Sequence, residues 1–437
     1  MGNSDTRRRL VPPGALLPFI LLTSCFAWWG LANNMTDTLL AAFKRIKSLS
    51  DFQTSLIQIA FYGAYFCFAL PAALYVRRFS YQSGVLLGLG LFIVGGLLFY
   101  PASLTMQYGH FLVALYILAG GLSILETSAN PYIVEMGPPE TGTQRLNLAQ
   151  SFNPLGSILG VVISKIFILS QLQGIDAEQR KQLGEEALRE VQSAELSAVM
   201  GPYVGVSAVL ILVWLGIFLL PMPRAYGATN SDQNKISLRK SFGRLLRRRH
   251  YVFGVLAQFF YVGAQIGVWS FTIRYVMLEL DLNENRAASY YLAALILFAG
   301  SRFLCTWLMN FFTPERVLTV MSLLAMVLTV MVITVGGLPG VLALVCISGC
   351  MSLMFPTIFG LSVRDLGPET RLAGSGLIMA IVGGAVLTAL QGQVSDLSGS
   401  IRLSYWIPFL CFTVIAVFGG FSEYFGRKRK MILIAGT

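Results

Sequence analysis

Charge is scarce in this chain. Only 12% of its 437 residues are Asp, Glu, Lys or Arg, against roughly 25% in an ordinary soluble domain, and with a mean hydropathy of +0.68 a water-soluble globule is excluded. Histidine is nearly missing, with only His110 and His250. Neither stands in an HxxxD arrangement, which argues against a membrane acyltransferase and leaves no catalytic constellation, so the chain reads as no enzyme. The six cysteines, Cys25, Cys67, Cys305, Cys346, Cys350 and Cys411, lack disulfide or metal-ligand spacing and serve as small apolar side chains. Acids are outnumbered, 21 against 32 Lys and Arg, for a net charge of +11. The excess sits at helix ends, where topology and anionic headgroups require it, and this argues against a nucleic-acid partner.

Long apolar runs, by contrast, are everywhere. A helix needs about 20 residues to cross a hydrocarbon core of about 30 Å, and twelve stretches meet that need: 14–43, 54–76, 81–101, 107–134, 145–170, 200–221, 250–279, 286–311, 314–337, 339–363, 372–396 and 403–425. Backbone groups must find their partners internally in lipid, so the predicted fold is an all-α membrane protein. Six spans, a polar stretch and six more divide the chain into an N-terminal half (1–222), a basic cytoplasmic linker (223–249) and a C-terminal half (250–437). A shared turn supports internal repetition, reading GPPET from Gly137 after the fourth span and GPET from Gly367 after the tenth. Basic clusters at Arg7–Arg9, Arg77–Arg78, the linker and Arg427–Lys430 fall on one side, which predicts that both termini are cytoplasmic. Lys44, Arg45 and Lys47 break that rule. Residues 175–199 read as a short polar or amphipathic helix on the outer face.

Against this apolar background two acids stand out. Asp37 and Glu126 lie inside spans, where an ionised carboxylate costs about 2.5–3.5 kcal/mol by insertion scales, so each is a candidate proton relay or binding group. Trp29, Asn33 and Asp37 recur every fourth residue and share a helix face, with Asn34 beside them. Glu126 and Asn130 repeat the spacing before Pro131, Gln150 and Asn153 follow on the fifth span, and Gln258, Gln265 and Trp269 form a stripe on the seventh. Carboxamides donate to and accept from vicinal hydroxyls, a carboxylate accepts from two, and an aromatic face covers the C–H side of a sugar ring. A sugar is the natural ligand of such a set. The alternatives are plainer: amides as interhelical glue, worth about 0.6 kcal/mol each, and acids in ion pairs with Arg274 or Arg302.

At these residues the chain resembles the fucose–galactose–glucose:proton symporters of the major facilitator superfamily. The strings that carry the likeness are WGLANNMTD from Trp29, LETSANPYI from Leu125, RLNLAQSFNPLG from Arg145, LAQFFYVGAQIGVWS from Leu256 and FPTIFGLSV from Phe355. The resemblance implies twelve transmembrane helices in two six-helix halves that rock around a central sugar in a bacterial inner membrane, working as a monomer. It implies Asp37 and Glu126 as the protonatable pair and Asn34, Gln150 and Asn153 as sugar contacts, beside Trp29, Asn130, Gln258 and Gln265 from the polar pattern. No cofactor is implied, the proton being the coupling ion. L-Fucose is the first expected substrate. Where the fucose-transporting branch has Tyr, this chain has Phe355. A missing hydroxyl in a polar site alters discrimination, so D-arabinose, L-galactose, D-galactose and glucose are alternatives, as is export by the same fold.

Overall fold

The computed structural model describes residues 10–12, 14–47, 51–168, 183–223 and 238–435, and the described elements are helices. The first predicted span lies on α1, Leu16–Lys47, and α2 (Asp51–Arg78), α3 (Tyr81–Thr105) and α4 (Tyr108–Glu135) follow. The fifth span is split into α5 (Gly142–Gln150) and α6 (Phe152–Ile163), and a π-helical turn at Ser164–Ile168 extends it. Next come α7 (Glu185–Leu219), α8 (Leu238–Arg247), α9 (Arg249–Leu280), α10 (Glu284–Leu308) and α11 (Pro314–Thr334). The tenth span is split into α12 (Gly337–Met351) and α13 (Met354–Val363), and the eleventh into α14 (Thr370–Met379) and α15 (Gly383–Ser398). The short α16 (Ile401–Ser404) and α17 (Trp406–Ala435) close the chain.

Among the described residues, eleven helical stretches are long and apolar enough to cross a membrane, and a shorter apolar helix, Leu16–Ala32, occupies the first predicted span. One expectation needs correcting. From Glu185 onward the predicted outer-face helix is no separate element but the start of α7, which runs without interruption into the sixth span. Its polar part adds to the helix because the spanning residues behind it already supply the nucleus. Residues 169–182 and 224–237, which contain parts of the outer segment and the linker, lie outside the described residues.

Local chemistry sets the helix ends. Ser80 and Ser83 form a reciprocal cap at the start of α3, with Ser83 N–H donating to Ser80 Oγ at 3.0 Å and Ser80 N–H to Ser83 Oγ at 3.1 Å. Asn283 Oδ1 accepts from Arg286 N–H at 3.0 Å at the start of α10. Prolines mark two of the three splits. Pro154 and Pro356 each stand third in a restarted helix, where a missing N–H is tolerated.

By internal contacts the chain forms two compact units. One comprises Met1–Pro12, Asn130–Ser151 and Arg224–Thr437; the other comprises Pro13–Ala129 and Phe152–Pro223. In the second unit α1 and α6 pack backbone to backbone. A Cβ at Gly156 would collide with the Ala27 carbonyl and one at Gly30 with the Asn153 carbonyl, so only glycine permits this approach.

Candidate functional site

In the unit built on Pro13–Ala129, three side chains from three helices form a hydrogen-bonded row. The Trp29 indole of α1 donates to Tyr65 Oη of α2 at 2.7 Å, and the Tyr65 hydroxyl donates to Glu126 Oε1 of α4 at 3.3 Å. Tyr65 is 1% and Glu126 2% exposed. The second carboxylate oxygen, Oε2, has no hydrogen-bond partner among the described residues. A second bond fixes α2 on α4, with Ser123 Oγ donating to the Tyr65 carbonyl at 3.0 Å. Sequence reasoning misses Tyr65, because it sits in an aromatic run, FYGAYFCF, with no polar periodicity to mark it.

The same unit holds Asn34 and Asn153. Asn153 Nδ2 donates to the Phe26 carbonyl and Asn34 Nδ2 to the Gly30 carbonyl, both at 3.3 Å, and Ser157 Oγ also donates to Gly30 at 3.3 Å. Both amides therefore lie along the α1–α6 seam. Asp37 is on α1, but its side chain, like that of Asn33, lies outside the described residues.

In the other unit Gln150 Nε2 donates to Asn130 Oδ1 at 2.9 Å, and both residues are buried, at 2% and 0% exposure. The Gln150 carbonyl would ordinarily accept from residue 154, but that residue is proline. Arg302 of α10 fills the gap, its Nη1 donating to Gln150 O at 2.9 Å. Pro356 likewise frees the Ser352 carbonyl, and Arg302 Nε donates to it. One guanidinium, 3% exposed, thus satisfies the carbonyls freed by two prolines, and it lies 4.7 Å from the Phe298 ring centre. Arg302, a candidate counter-ion by its position in the sequence, directs these hydrogen bonds to backbone instead. Arg274 sits over Phe271, 5.5 Å from the ring centre.

Gln258 on α9 is fully buried, and neither its amide oxygen nor its nitrogen has a partner among the described residues. A buried polar atom left without a partner costs about 1–3 kcal/mol. Gln265, two turns along, is half-buried, and Trp269 donates to Ser348 Oγ at 3.2 Å. Phe355, second residue of α13, packs edge-on against Tyr261 with ring centres 6.2 Å apart, and the Tyr261 hydroxyl donates to the Met351 carbonyl at 3.1 Å. Restarting the helix at Met354 thus sets Phe355 beside Tyr261.

Arg145, in sequence no more than the first letter of a matching string, is wholly buried. It donates to the carbonyls of Ile133 at 2.7 Å and Leu10 at 3.0 Å, and to Val134. It thereby satisfies carbonyls of the last turn of α4. His250 packs against Phe418 and Phe421 and meets Ser422 Oγ at 3.0 Å, a packing role.

Comparison with known proteins places this geometry in a family. The sequence model of the Major Facilitator Superfamily matches residues 19–390. The L-fucose-proton symporter of Escherichia coli (strain K12) is 40% identical over 407 residues, 93% of each chain, and the glucose/galactose transporter of Brucella abortus is 32% identical over 403 residues, 91% of this chain and 92% of that one. The crystal structure of the major facilitator transporter FucP in the outward conformation matches with a TM-score of 0.88 at 40% identity, covering 93% of this chain and 99% of that one. A proton:xylose symporter structure at 12% identity, TM-score 0.68, shares the fold alone. With its all-helical architecture of membrane-length spans, this multi-pass membrane protein belongs to the major facilitator superfamily of transporters.

Proposed function

We propose that the chain is a proton-coupled symporter that imports L-fucose across a bacterial inner membrane by alternating access. Residues 1–222 and 250–437 would be its two rocking halves and 223–249 the cytoplasmic linker. Both termini would be cytoplasmic, the working unit a monomer, and the coupling ion a proton. Relatives that cover nearly the whole chain carry the name L-fucose-proton symporter, and this supports the reading of substrate and ion.

The observation that carries the proposal is the buried row Trp29–Tyr65–Glu126. A carboxyl held by a neutral phenol can gain or lose its proton without breaking an ion pair. Carrying it charged through a closed, dry state is costly, so reorientation favours the protonated carrier. Asp37 takes the role of main proton carrier, and Glu126 links proton occupancy to sugar binding through its free oxygen. Trp29, Asn34, Asn130, Gln150, Asn153, Gln258 and Gln265 supply the ring-covering face and the donors and acceptors for hydroxyls, with Phe355 as an apolar wall.

Phe355 also favours a second reading, a symporter for another sugar. Its ring has no hydroxyl to offer, and relatives named glucose/galactose transporters share about a third of the sequence. D-Galactose, glucose, D-arabinose and L-galactose are therefore to be tested beside L-fucose. The test is external pH in a lightly buffered, de-energised suspension of cells expressing the protein. Addition of L-fucose should raise it. A rise with a different sugar only would keep the mechanism and change the substrate. Equilibration of labelled sugar with no pH change would refute proton coupling.

A further inference from the structure

Helix α8 lies within the linker, and the transport reading gives its side chains no task. Its ten residues, LRKSFGRLLR, include four cations and no acid, and a single extended residue, Arg248, separates it from the membrane-spanning α9. It must therefore lie at the membrane boundary. Ser241 and Leu245 are buried, both at 3% exposure. Phe242 and Leu246, each about 100° further round the axis, remain 47% and 58% exposed. Lys240, Arg244 and Arg247 lie beyond them and are exposed. One edge of the apolar arc is thus packed on protein, the next edge is bare, and the opposite side is cationic. Arg244 meets Glu369 of the GPET turn at 2.9 Å, tying α8 to the start of α14.

A bare apolar edge beside a cationic side, joined directly to a span, is the pattern of a helix lying in a bilayer interface. We propose that α8 is an anionic-phospholipid binding element, with Phe242 and Leu246 inserted among acyl chains and Lys240, Arg247, Arg248 and Arg249 on headgroup phosphates. Charge complementarity names the partner, because nothing acidic on α8 offsets its cations. Through Arg244 and Glu369, lipid composition then bears on the placement of the turn that precedes α14.

The test places a reporter on the bare edge. Phe242→Trp is made in the full chain and reconstituted into nanodiscs of phosphatidylcholine with or without phosphatidylglycerol, and its emission is read as the difference from the parent protein. With phosphatidylglycerol present, the added emission should shift to the blue and be quenched by lipids brominated near the headgroup end of their chains. Adding Lys240→Gln and Arg247→Gln should weaken both effects. Quenching by iodide in place of brominated chains would overturn the proposal, as would insertion indifferent to phosphatidylglycerol. An equal shift produced by inorganic phosphate in phosphatidylcholine discs would overturn the assignment to lipid. Leu246→Trp, one turn along the same edge, gives the same readout if Phe242→Trp fails to fold.

Discussion

Replacing Arg302 by Met should destabilise the protein, and replacing Pro154 by Ala should partly reverse the loss. The Arg302 substitution withdraws donors from Gln150 O and Ser352 O, in surroundings where Gln150 and Ser352 are 2% and 0% exposed. Each orphaned carbonyl costs about 1–3 kcal/mol, so the two together cost about 2–6 kcal/mol. Removing a buried cation acts in the opposite sense, since holding a charge out of water is itself costly. The single variant therefore does not isolate the hydrogen bonds, but a double-mutant cycle does. Pro154→Ala returns an N–H to the Gln150 carbonyl. That N–H is redundant while Arg302 is present and needed when it is gone, and the desolvation of the cation cancels around the cycle. The expected coupling is about 1–2 kcal/mol, with Pro154→Ala more favourable in the Arg302→Met background than in the parent. Thermal unfolding in detergent, followed with a thiol-reactive dye, reads it directly, because Cys25, Cys305, Cys350 and Cys411 are buried until the fold opens. Equal effects of Pro154→Ala in both backgrounds would refute the pairing of this guanidinium with the proline-freed carbonyl.

Four further outcomes are expected. Glu126→Gln keeps an oxygen for the Tyr65 hydroxyl but removes the carboxyl proposed to link proton occupancy to sugar binding, so sugar-evoked alkalinisation and uphill uptake should vanish while labelled-sugar counterflow persists; retained uphill uptake would refute that link. Gln258→Leu removes two buried polar atoms that have no partner among the described residues and should leave thermal stability unchanged or higher while raising KM for the sugar, whereas a lower unfolding temperature with unchanged KM would make Gln258 a structural residue. Phe355→Tyr should shift the ratio of kcat/KM among the tested sugars by about tenfold, or about 1.4 kcal/mol, read by competition against labelled L-fucose; an unchanged ratio would place residue 355 outside the recognition surface. Gly156→Ala should sharply reduce the yield of folded protein in fluorescence size-exclusion profiles, since its Cβ meets the Ala27 carbonyl, whereas Gly205→Ala, with open space at its Cβ, should behave as the parent.

Most of the helical layout was legible because the bilayer imposes one rule, that a span be long, apolar and internally hydrogen-bonded. Glu126, Asn130, Gln150 and Gln258 stood out in the sequence because polar groups are conspicuous against an apolar background, and all four are buried. Two kinds of feature were not legible. The splits at Ser151 and at Ser352–Leu353 leave no mark on hydropathy, and only the prolines three residues into the restarted helices announce them. Partner choice was the other. Tyr65 is one tyrosine in an aromatic run until the packing of α2 brings it to within 3.3 Å of Glu126, and no spacing rule on one helix identifies a donor that arrives from another.

Arg302 shows why that second gap matters for function. A sequence with acids and arginines inside its spans invites the inference that they neutralise one another, and in that arrangement the acids would be fixed charges unsuited to carrying a proton. Among the described residues, Arg302 gives two of its donors to freed carbonyls and lies against the Phe298 ring. Glu126 has its hydrogen bond from a phenol and, among the described residues, no ion pair. On the proposed reading, a carboxyl so placed changes charge without breaking an ion pair, and sugar hydroxyls at its second oxygen would favour one protonation state over the other. Coupling then needs no moving cation, only the difference in hydrogen bonding between a carboxylate, which accepts, and a carboxylic acid, which also donates.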